Sequence, residues 1–488
     1  MEISTGLLSH QVLQRDRFGF ASAEIRGRCN ALVDSELRAT VSKNGIPIRG
    51  FSETLVGRCR RGVWRGTLSR VPTGGPYDVV LKAGTERVTV RKILVGDVWV
   101  MAGQSNMVGD GRIEHALRPH PLIHAFYAWD EWRTAVEPVH FPAASKDPSH
   151  NDKPISDHRE ILCAHRKAVK GAGPGLAFAR AMLRRTGVPQ GLIPCAVGGT
   201  SMEGWSPRHQ HLEGRSLYGA MLRRFRLQGQ PVAGVLWYQG EAEPRGGGAS
   251  AYTDKMRELV RSVRKDFRRP SLPWIVVQLG KTHLFSEEES EQASFLSIRD
   301  QQRLLPRHIR NLAVVPAIDL PMEDGIHLAA EGQTVLGERM ARAAACLLKI
   351  KGMRNSIELK SLRLVPCPDN WGQYPAVEVE FANVAGDLQS DGVPTGFRLI
   401  KPDGKILKRI HKVLFKGGGR LVVVTYTCPD MSMQGYRLAY GYDLDAYCNI
   451  HDSENMSLPA FAPQPIEPDK GNYTRRHLLP ACLGRKTR

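Results

Sequence analysis

The sequence predicts an α/β protein, in which a parallel sheet with flanking helices is preceded and followed by β-rich regions. Between about residues 96 and 350, short apolar runs alternate with amphipathic helical stretches. On both sides of this region, short apolar segments alternate with Gly/Pro turns and no helical period appears. Runs this apolar are typical of strands buried on both faces, and such strands separated by helices form a parallel sheet.

The alternation gives the elements of the middle region one by one. The predicted strands are Val98–Ala102, Leu192–Val197, Val232–Tyr238, Trp274–Leu279 and Leu312–Ile318. The predicted helices are Gly175–Arg185, Ala251–Phe267 and Glu331–Leu348. Residues 111–170 are rich in Pro, His and Lys and interrupt the pattern, so we interpret them as a long loop or insertion that could shape a pocket.

The flanking regions are each interpreted as a β-sandwich. Tyr77–Leu81 and Val88–Val90 precede the middle region, and Ala376–Phe381 and Leu421–Tyr426 follow it. A chain of 488 residues is long enough for several domains. The predicted division is a β-sandwich domain at 1–95, an α/β domain at 96–350, a second β-sandwich at 355–463 and a tail at 464–488.

The composition is that of an ordinary globular protein, with 42% hydrophobic and 24% charged residues. No apolar run approaches the ~18 residues of a membrane helix, so no membrane association is expected. The first ten residues carry no basic leader and no long apolar stretch. We therefore expect a cytoplasmic location, or an exported or periplasmic one if the translation start is misplaced.

The net charge of +19 suggests either a polyanionic partner, such as nucleic acid or an acidic glycan, or a generally basic surface. No nucleic-acid motif is present, so no nucleic-acid partner is expected. Nine cysteines without a CxxC pair argue against a disulfide framework and against a Cys-rich zinc site. The seven histidines of residues 111–170 form no HxH or HExxH pair, and no metal site is predicted.

The sharpest local motif is Gly103–Met107, which directly follows the strand Val98–Ala102. A serine at a strand end, here Ser105, can expose its Oγ while its own N–H faces an oxyanion. A serine hydroxyl needs a base to become a good nucleophile. Asp324 and His327 follow the strand Leu312–Ile318, and their spacing of three residues lets a carboxylate on the same loop orient a histidine base.

Two further turns follow predicted strands. Gly198 and Gly199 come after Leu192–Val197, where glycine lets backbone N–H groups approach a ligand. Gln239 and Glu241 follow Val232–Tyr238; the Gln239 amide could donate to an oxyanion and Glu241 could orient its neighbours. Each turn alone has an ordinary structural interpretation, but the four together supply a nucleophile, oxyanion donors, an acid and a base at one edge of a sheet.

This ordered set resembles the motifs of the SGNH hydrolases, and within them the sialate O-acetylesterase-like proteins and the acetylesterases of carbohydrate esterase family 6. The resemblance runs from about Leu8 to Pro463. Besides the four turns, the similar segments are Val12–Asp16, Gly96–Trp99, Gly191–Cys195, Leu336–Arg339 and Leu458–Phe461.

The resemblance implies an SGNH-type, flavodoxin-like sheet and a role for each motif residue. Ser105 is implied as the nucleophile, His327 as general base and acid, and Asp324 as the orienting carboxylate. The oxyanion hole would comprise the N–H groups of Ser105 and Gly198 and the side chain of Gln239. Gly199 is the alternative to Gly198 if the motif is aligned one residue further along. Many SGNH enzymes carry Asn where this chain has Gln239, and Gln is typical of the acetylesterase branch.

The predicted function is removal of O-acetyl groups from sugars such as sialic acid or xylan, without a metal or organic cofactor. We expect an acetylated carbohydrate as the partner and predict substrate contacts from Gln104, Trp205 and Glu241. Two alternatives stay open. One is a serine hydrolase of different ester specificity, and the other is a non-catalytic glycan- or polyanion-binding protein.

Overall fold

The computed structural model describes residues 1–30, 34–229, 231–246, 248–283, 288–368, 375–407, 410–425 and 433–468. Most of the predicted tail, from residue 469, and Tyr426 of the predicted strand Leu421–Tyr426 lie outside the described residues.

The amino-terminal part is built mainly from antiparallel strands with alternating burial, and the short strand Val12–Gln14 pairs in parallel with the long strand Glu86–Gly103. In the third and fourth strands every second side chain is buried, including Ile25, Leu37 and Val41, because successive side chains of a strand point to opposite faces. The strands are β1 (Glu2–Thr5), β2 (Val12–Gln14), β3 (Phe20–Arg28), β4 (Ser35–Lys43), β5 (Ile46–Pro47), β6 (Thr54–Arg60), β7 (Val63–Pro72), β8 (Gly74–Ala83) and β9 (Glu86–Gly103).

The middle part contains the predicted parallel strands, and their burial is nearly complete. Four of the strands have five residues each, and all of these residues are buried. They are Gln190–Pro194, Gly234–Tyr238, Trp274–Gln278 and Leu312–Pro316. These strands therefore face a packed layer on both sides. The strands are β10 (Gly111–Arg112), β11 (Ile123–Phe126), β12 (Trp132–Thr134), β13 (Lys170–Ala172), β14 (Gln190–Pro194), β15 (Gly234–Tyr238), β16 (Trp274–Gln278) and β17 (Leu312–Pro316).

Strand β9 belongs to both parts. Its first half pairs antiparallel with β8, and its second half pairs in parallel with β14 on one side and β15 on the other. The parallel strands lie in the order β11-β14-β9-β15-β16-β17, so their carboxyl ends meet at one edge. Because β9 crosses residues 95–96, hydrogen bonds run continuously through the predicted domain boundary, and the division into domains stays a prediction.

The helices confirm three of the predicted segments to within a residue or two. The predictions over 175–185, 251–267 and 331–348 correspond to the third, fifth and seventh helices. The helices are α1 (Ser105–Val108), α2 (His158–Arg166), α3 (Pro174–Thr186), α4 (Leu217–Gln228), α5 (Tyr252–Asp266), α6 (Glu289–His308) and α7 (Ala330–Leu347). No helix of the described residues is long and apolar enough to cross a membrane.

Residues 111–170 are more ordered than the predicted loop. They contain helix α2 and strand β11, which adds a parallel strand beside β14. This strand escaped prediction because it has four residues and includes His124, whose ring bonds the carbonyl of His10 at 2.6 Å. The segment does line a cavity of about 650 Å³ with Leu8–His10, but Ser105, Asp324 and His327 are not among the lining residues.

The carboxy-terminal part is again antiparallel. Two four-stranded sheets, β18-β19-β24-β23 and β22-β21-β25-β27, accompany the pair β20-β26. The strands are β18 (Glu358–Pro366), β19 (Pro375–Ala382), β20 (Leu388–Ser390), β21 (Phe397–Ile400), β22 (Ile406–Leu407), β23 (Lys412–Gly417), β24 (Arg420–Val424), β25 (Arg437–Tyr440), β26 (Ile450–Asp452) and β27 (Phe461–Pro465).

Buried polar contacts fasten this part to the middle of the protein. Arg342 of α7 and Asp452 of β26 form an ion pair of 2.7 Å in which each side chain is at most 1% exposed. Arg299 of α6 donates to the carbonyls of Gly441 and Asp443. Because buried charges need partners, these contacts fix how the parts pack. The protein therefore has a mixed α/β fold with a large central sheet.

Candidate active site

The turn after β9 presents Ser105 at the carboxyl edge of the parallel sheet. The turn begins with Gly103, whose φ of 131° favours glycine. A Cβ at this position would lie 2.0 Å from the Tyr238 carbonyl, so the neighbouring strand β15 also requires glycine here. Since β9 lies between β14 and β15, Ser105 occupies the position where the sheet is extended in opposite directions, and ligands of such sheets bind there.

The loop between β17 and α7 brings the predicted acid and base to Ser105. His327 Nε2 lies 3.0 Å from Ser105 Oγ, and His327 Nδ1 lies 2.9 Å from Asp324 Oδ2. Asp324 Oδ1 accepts from the N–H groups of Ile326 and His327, both at 2.9 Å. These two bonds shape the loop, so the carboxylate that orients the ring also folds the segment that carries it.

The charge of Asp324 fixes the proton positions on His327. Burial tends to raise the pKa of Asp324, but hydrogen bonds from the His327 ring and from the two backbone N–H groups lower it more, to about 2. At neutral pH the carboxylate is therefore ionised and can only accept. His327 Nδ1 consequently carries the hydrogen, and Nε2 is left to accept the proton of Ser105.

The predicted backbone donors belong to Ser105 itself and to the glycine turn beside it. The position of a Cβ at Gly198 would be 3.6 Å from Ser105 Cβ, so the glycine turn after β14 packs directly against the turn that carries Ser105. Gly198 and Gly199 are both exposed. Within the described part of the chain, the N–H groups of Ser105 and Gly198 have no hydrogen-bond partner. Two N–H groups of this kind can bind an oxyanion.

The Gln239 side chain is already hydrogen-bonded. It is fully buried, and its Nε2 donates to the carbonyl of Thr200 at 3.2 Å and to Glu243 Oε1 at 2.9 Å. These bonds tie the turn after β15 to the glycine turn after β14. For Gln239 to donate to an oxyanion, one of the two bonds has to be exchanged.

The residues predicted to contact substrate are buried. Trp205 is fully buried, donates to Thr200 Oγ1 at 3.1 Å and packs edge to face on Trp237, which is core packing rather than an open face for a sugar. Gln104 is 3% exposed and Glu241 is 6% exposed. Glu241 instead accepts from Asn106 Nδ2 at 2.9 Å, in keeping with the expectation that it orients neighbours.

Asn106 is a central residue of the site that the sequence did not single out. Its Nδ2 also donates to the Ile326 carbonyl at 3.0 Å, and its Oδ1 accepts from the N–H of Leu328 at 3.0 Å. The side chain that follows Ser105 in the chain thus holds the backbone on both sides of His327. Its position beside Ser105 was the available signal, but its partners lie more than 130 residues away in sequence.

Asp110 also lies beside the histidine. The ligand atoms of Asp110, Asp324 and His327 all lie within 4.8 Å of one another, an arrangement that a metal ion can use. Both nitrogens of His327 are engaged, however, one by Ser105 and one by Asp324. A metal at this position would have to displace one of these bonds, so the residues fit acid–base chemistry better, and the absence of a metal stays a prediction.

Comparison with known proteins gives this geometry a family. Residues 95–346, just over half of the chain, match the family model described as carbohydrate esterase, sialic acid-specific acetylesterase. The chain belongs to this family of carbohydrate esterases. The match begins in the middle of β9 and continues almost to the end of α7, so it includes the parallel strands.

Individual relatives of this esterase have names that agree with the family assignment. A probable carbohydrate esterase of Arabidopsis thaliana is 29% identical over 269 residues, which are 50% of this chain and 89% of the relative. Human sialate O-acetylesterase is 24% identical over 281 residues, 49% of each protein, so the chain matches about half the length of that relative. A carbohydrate acetylesterase structure from Xanthomonas citri has the same fold, with a TM-score of 0.65, 19% identity and coverage of 94% and 98%.

Proposed function

We propose that this esterase removes acetyl groups from a carbohydrate through an acetyl-enzyme on Ser105. The observation that carries the proposal is the chain of contacts from Ser105 Oγ to His327 Nε2 at 3.0 Å and from His327 Nδ1 to Asp324 Oδ2 at 2.9 Å. The family supports an esterase, and the names of its relatives support an acetylated sugar as substrate.

The reaction has two balanced steps. The Ser105 oxygen attacks the acetyl carbonyl while its proton passes to His327 Nε2, and the imidazolium then gives that proton to the departing sugar alkoxide. Water, deprotonated by His327, attacks the acetyl-enzyme; the Ser105 oxygen leaves and takes that proton back from His327, and the acetic acid that forms ionises to acetate in solution. Asp324 accepts from Nδ1 throughout and stabilises the charge on the ring. The chemistry calls for no metal or organic cofactor.

The proposed oxyanion hole consists of the N–H groups of Ser105 and Gly198 and the amide of Gln239. The two backbone groups are supported by their lack of partners among the described residues. Gln239→Ala is expected to lower kcat by roughly 10²–10³ with little change in KM if the amide binds the oxyanion in the transition state. A KM effect alone, or a loss of stability alone, would leave Gln239 as a support of the two turns.

The order of the parallel strands supports a finer assignment of the fold. With β11 set aside as an added outer strand, the parallel strands have the 2-1-3-4-5 order of flavodoxin-like sheets, which supports an SGNH-type catalytic domain. The antiparallel sheets before and after it are proposed to be the β-sandwich domains. The sugar, whether a sialic acid, xylan or a related glycan, is the open part of the proposal.

Two measurements test the proposal together. A serine-reactive phosphonate should label Ser105, and Ser105→Ala should remove both labelling and ester hydrolysis. Acetate release from acetylated sialic acids, acetylated xylan and simple acetylated sugars should identify the substrate.

A chain-length series of nitrophenyl esters should then show kcat/KM falling from acetate to octanoate. Each buried methylene would add ~0.8 kcal/mol of binding in an open apolar acyl pocket. A rise with chain length would replace the acetylesterase with a lipase-like enzyme. Wild-type protein that binds glycans but hydrolyses no ester would leave the non-catalytic alternative.

A further inference from the structure

His327 faces two carboxylates rather than one. Its Nδ1 is 2.9 Å from Asp324 Oδ2 and 3.6 Å from Asp110 Oδ2. The first distance is a hydrogen bond, and the second is too long for one but well within range of a charge interaction. Neither acid is enclosed, since Asp324 is 40% and Asp110 32% exposed.

The position of Asp110 is fixed by the segment that carries the nucleophile. Asp110 follows α1 after Gly109, whose φ is 98° and whose Cβ position would lie 2.5 Å from the backbone of Gly173. The chain then enters β10, which pairs with β13. The turn between helix and strand therefore points the chain back toward the histidine five residues after Ser105, and packing against residues 172–173 holds it there.

Lys170 of β13 competes with His327 for the same oxygen. Its Nζ lies 3.0 Å from Asp110 Oδ2, the atom that faces the imidazole. The hydrogen bond to Asp110 raises the pKa of Lys170, so the ammonium keeps its charge. Asp110 is thus held beside His327 by a cation rather than bonded to the ring.

We propose that Asp110 is a reserve carboxylate for His327: it adds to the stabilisation of the imidazolium and takes the Nδ1 hydrogen when Asp324 is absent. The inference rests on the proposed function, because it concerns the same proton transfer from Ser105. Asp110 is a positioning residue, since it acts through His327. To take the hydrogen bond, its carboxylate has to move by less than the width of an atom and to share Oδ2 with Lys170.

Other charges around the ring define the electrostatic setting. Glu241 lies on the buried side and interacts with His327 through its charge. Glu323, next to Asp324, is paired with Arg112 at 3.0 Å. Lys170 is the cation bonded to Asp110, and Asp324 is the direct partner of the ring. Removing Asp110 takes away one negative charge, and removing Lys170 takes away the positive charge that competes for it.

A double-mutant cycle tests the proposal through the sign of the coupling between Asp110 and Asp324. Asp324→Ala should lower kcat/KM by roughly 10²-fold, well short of the ~10⁴-fold that loss of the acid alone costs in other serine hydrolases. Asp110→Ala should cost about 3-fold, and the double variant ~10⁴-fold, far more than the product of the two single losses. Redundant acids give this excess, whereas members of one unit give less than the product.

Lys170→Met gives an independent readout. In the Asp324→Ala background it should raise kcat/KM, because Asp110 is released to the ring. In the wild-type background it should move the acid limb of the pH–rate profile to higher pH, and Asp110→Asn should move it to lower pH. If either residue has only a structural role, its substitution should not shift the acid limb of the pH–rate profile. Lys360→Met, which removes an exposed lysine paired with Glu380 at 2.8 Å, is the matched control.

The outcomes separate this inference from the proposed function. Hydrolysis that survives Ser105→Ala overturns both. If Ser105→Ala is inactive but the double variant equals Asp324→Ala, or Lys170→Met lowers activity in the Asp324→Ala background, only the role of Asp110 is overturned. Thermal unfolding of every variant shows that the comparison is made on folded protein, and Asp110→Asn replaces Asp110→Ala if the latter does not fold.

Discussion

The two sides of His327 are built in opposite ways. On the buried side, Asn106 is 1% exposed and joins Glu241, the Ile326 carbonyl and the Leu328 N–H in hydrogen bonds of 2.9–3.0 Å. On the exposed side, two carboxylates and Lys170 interact in contact with solvent. Polar groups in a low-dielectric interior fix geometry firmly, whereas exposed charges are screened and readily rearranged. We therefore expect the buried side to fix the position of the ring. The charged groups on the exposed side should determine how strongly a positive charge on the ring is stabilised.

The largest expected effect belongs to the reacting groups, which lie where the two sides meet. Ser105→Ala and His327→Ala should each lower kcat by ~10⁵–10⁶, and the double variant should lose little more, because the residues act as one unit. Neither change should move the free energy of unfolding by more than about 1 kcal/mol, since neither side chain is fully buried. Losses that multiply in the double variant, measured by steady-state kinetics, would contradict a shared proton transfer.

Asn106→Ala should affect activity and stability together. The substitution leaves Glu241 buried without its donor and frees the backbone around His327, so we expect a loss of about 2–4 kcal/mol of unfolding free energy. kcat should fall by roughly 10²-fold while KM changes little, because the base is displaced. Denaturant unfolding and kinetics on the same preparation measure both effects.

Asn449→Ala is the matched control for Asn106→Ala. Asn449 is also buried and makes three hydrogen bonds to backbone groups, with Asp391, Val393 and Thr395, but it lies in the carboxy-terminal part. It should lose comparable stability and keep kcat. If both variants lose kcat equally, the effect of Asn106 is general destabilisation rather than positioning of His327.

This contrast also explains what the sequence could reveal. The strands β9, β15, β16 and β17 were predictable because a strand buried on both faces must be apolar throughout. Ser105, Asp324 and His327 were predictable as a cluster, because the proposed chemistry demands those residue types at strand ends. Asn106 and Asp110 were not, since the contacts of Asn106 and the proposed role of Asp110 both depend on residues that only the tertiary fold brings near.

The missed helices have a related cause. The buried face of α6 carries Arg299 and Gln302 among its apolar residues, and that of α4 carries Arg224 and Gln228. These polar residues interrupt the apolar stripe that marks an amphipathic helix. They are tolerated because each finds a partner in the folded protein, as Gln302 does with the carbonyl of Gln239 at 2.9 Å. A helix therefore lacks a recognisable apolar stripe in the sequence where its buried face makes tertiary hydrogen bonds instead of apolar contacts.

Glu241→Gln separates charge from shape on the buried side. Burial raises the pKa of Glu241, so its folded form holds a proton more strongly than the unfolded chain does. The resulting contribution to stability is fully present at low pH and is lost as pH rises through the raised pKa. The stability of Glu241→Gln relative to wild type should therefore improve as pH rises from 4.5, the ordinary pKa of a glutamate carboxyl, through the raised pKa. A difference that is constant across this range, in urea unfolding, would show that Glu241 does not titrate there.

The smallest expected effect is the pH dependence contributed by Asp324 on the exposed side. Its pKa is lowered from 3.8 to about 2, so the carboxylate stabilises the fold above its unfolded pKa and loses that effect as pH falls toward 2. Because the side chain is 40% exposed, solvent screening limits the contribution to about 1 kcal/mol or less. Asp324→Asn retains an oxygen for the N–H groups of Ile326 and His327, which isolates the charge from the shape of the loop. Wild type should be more stable than Asp324→Asn at pH 6, and the gap should close by about pH 2. A gap that persists at pH 2 would show that the loop depends on the shape of the aspartate rather than on its charge, and the exposed side would then resemble the buried one.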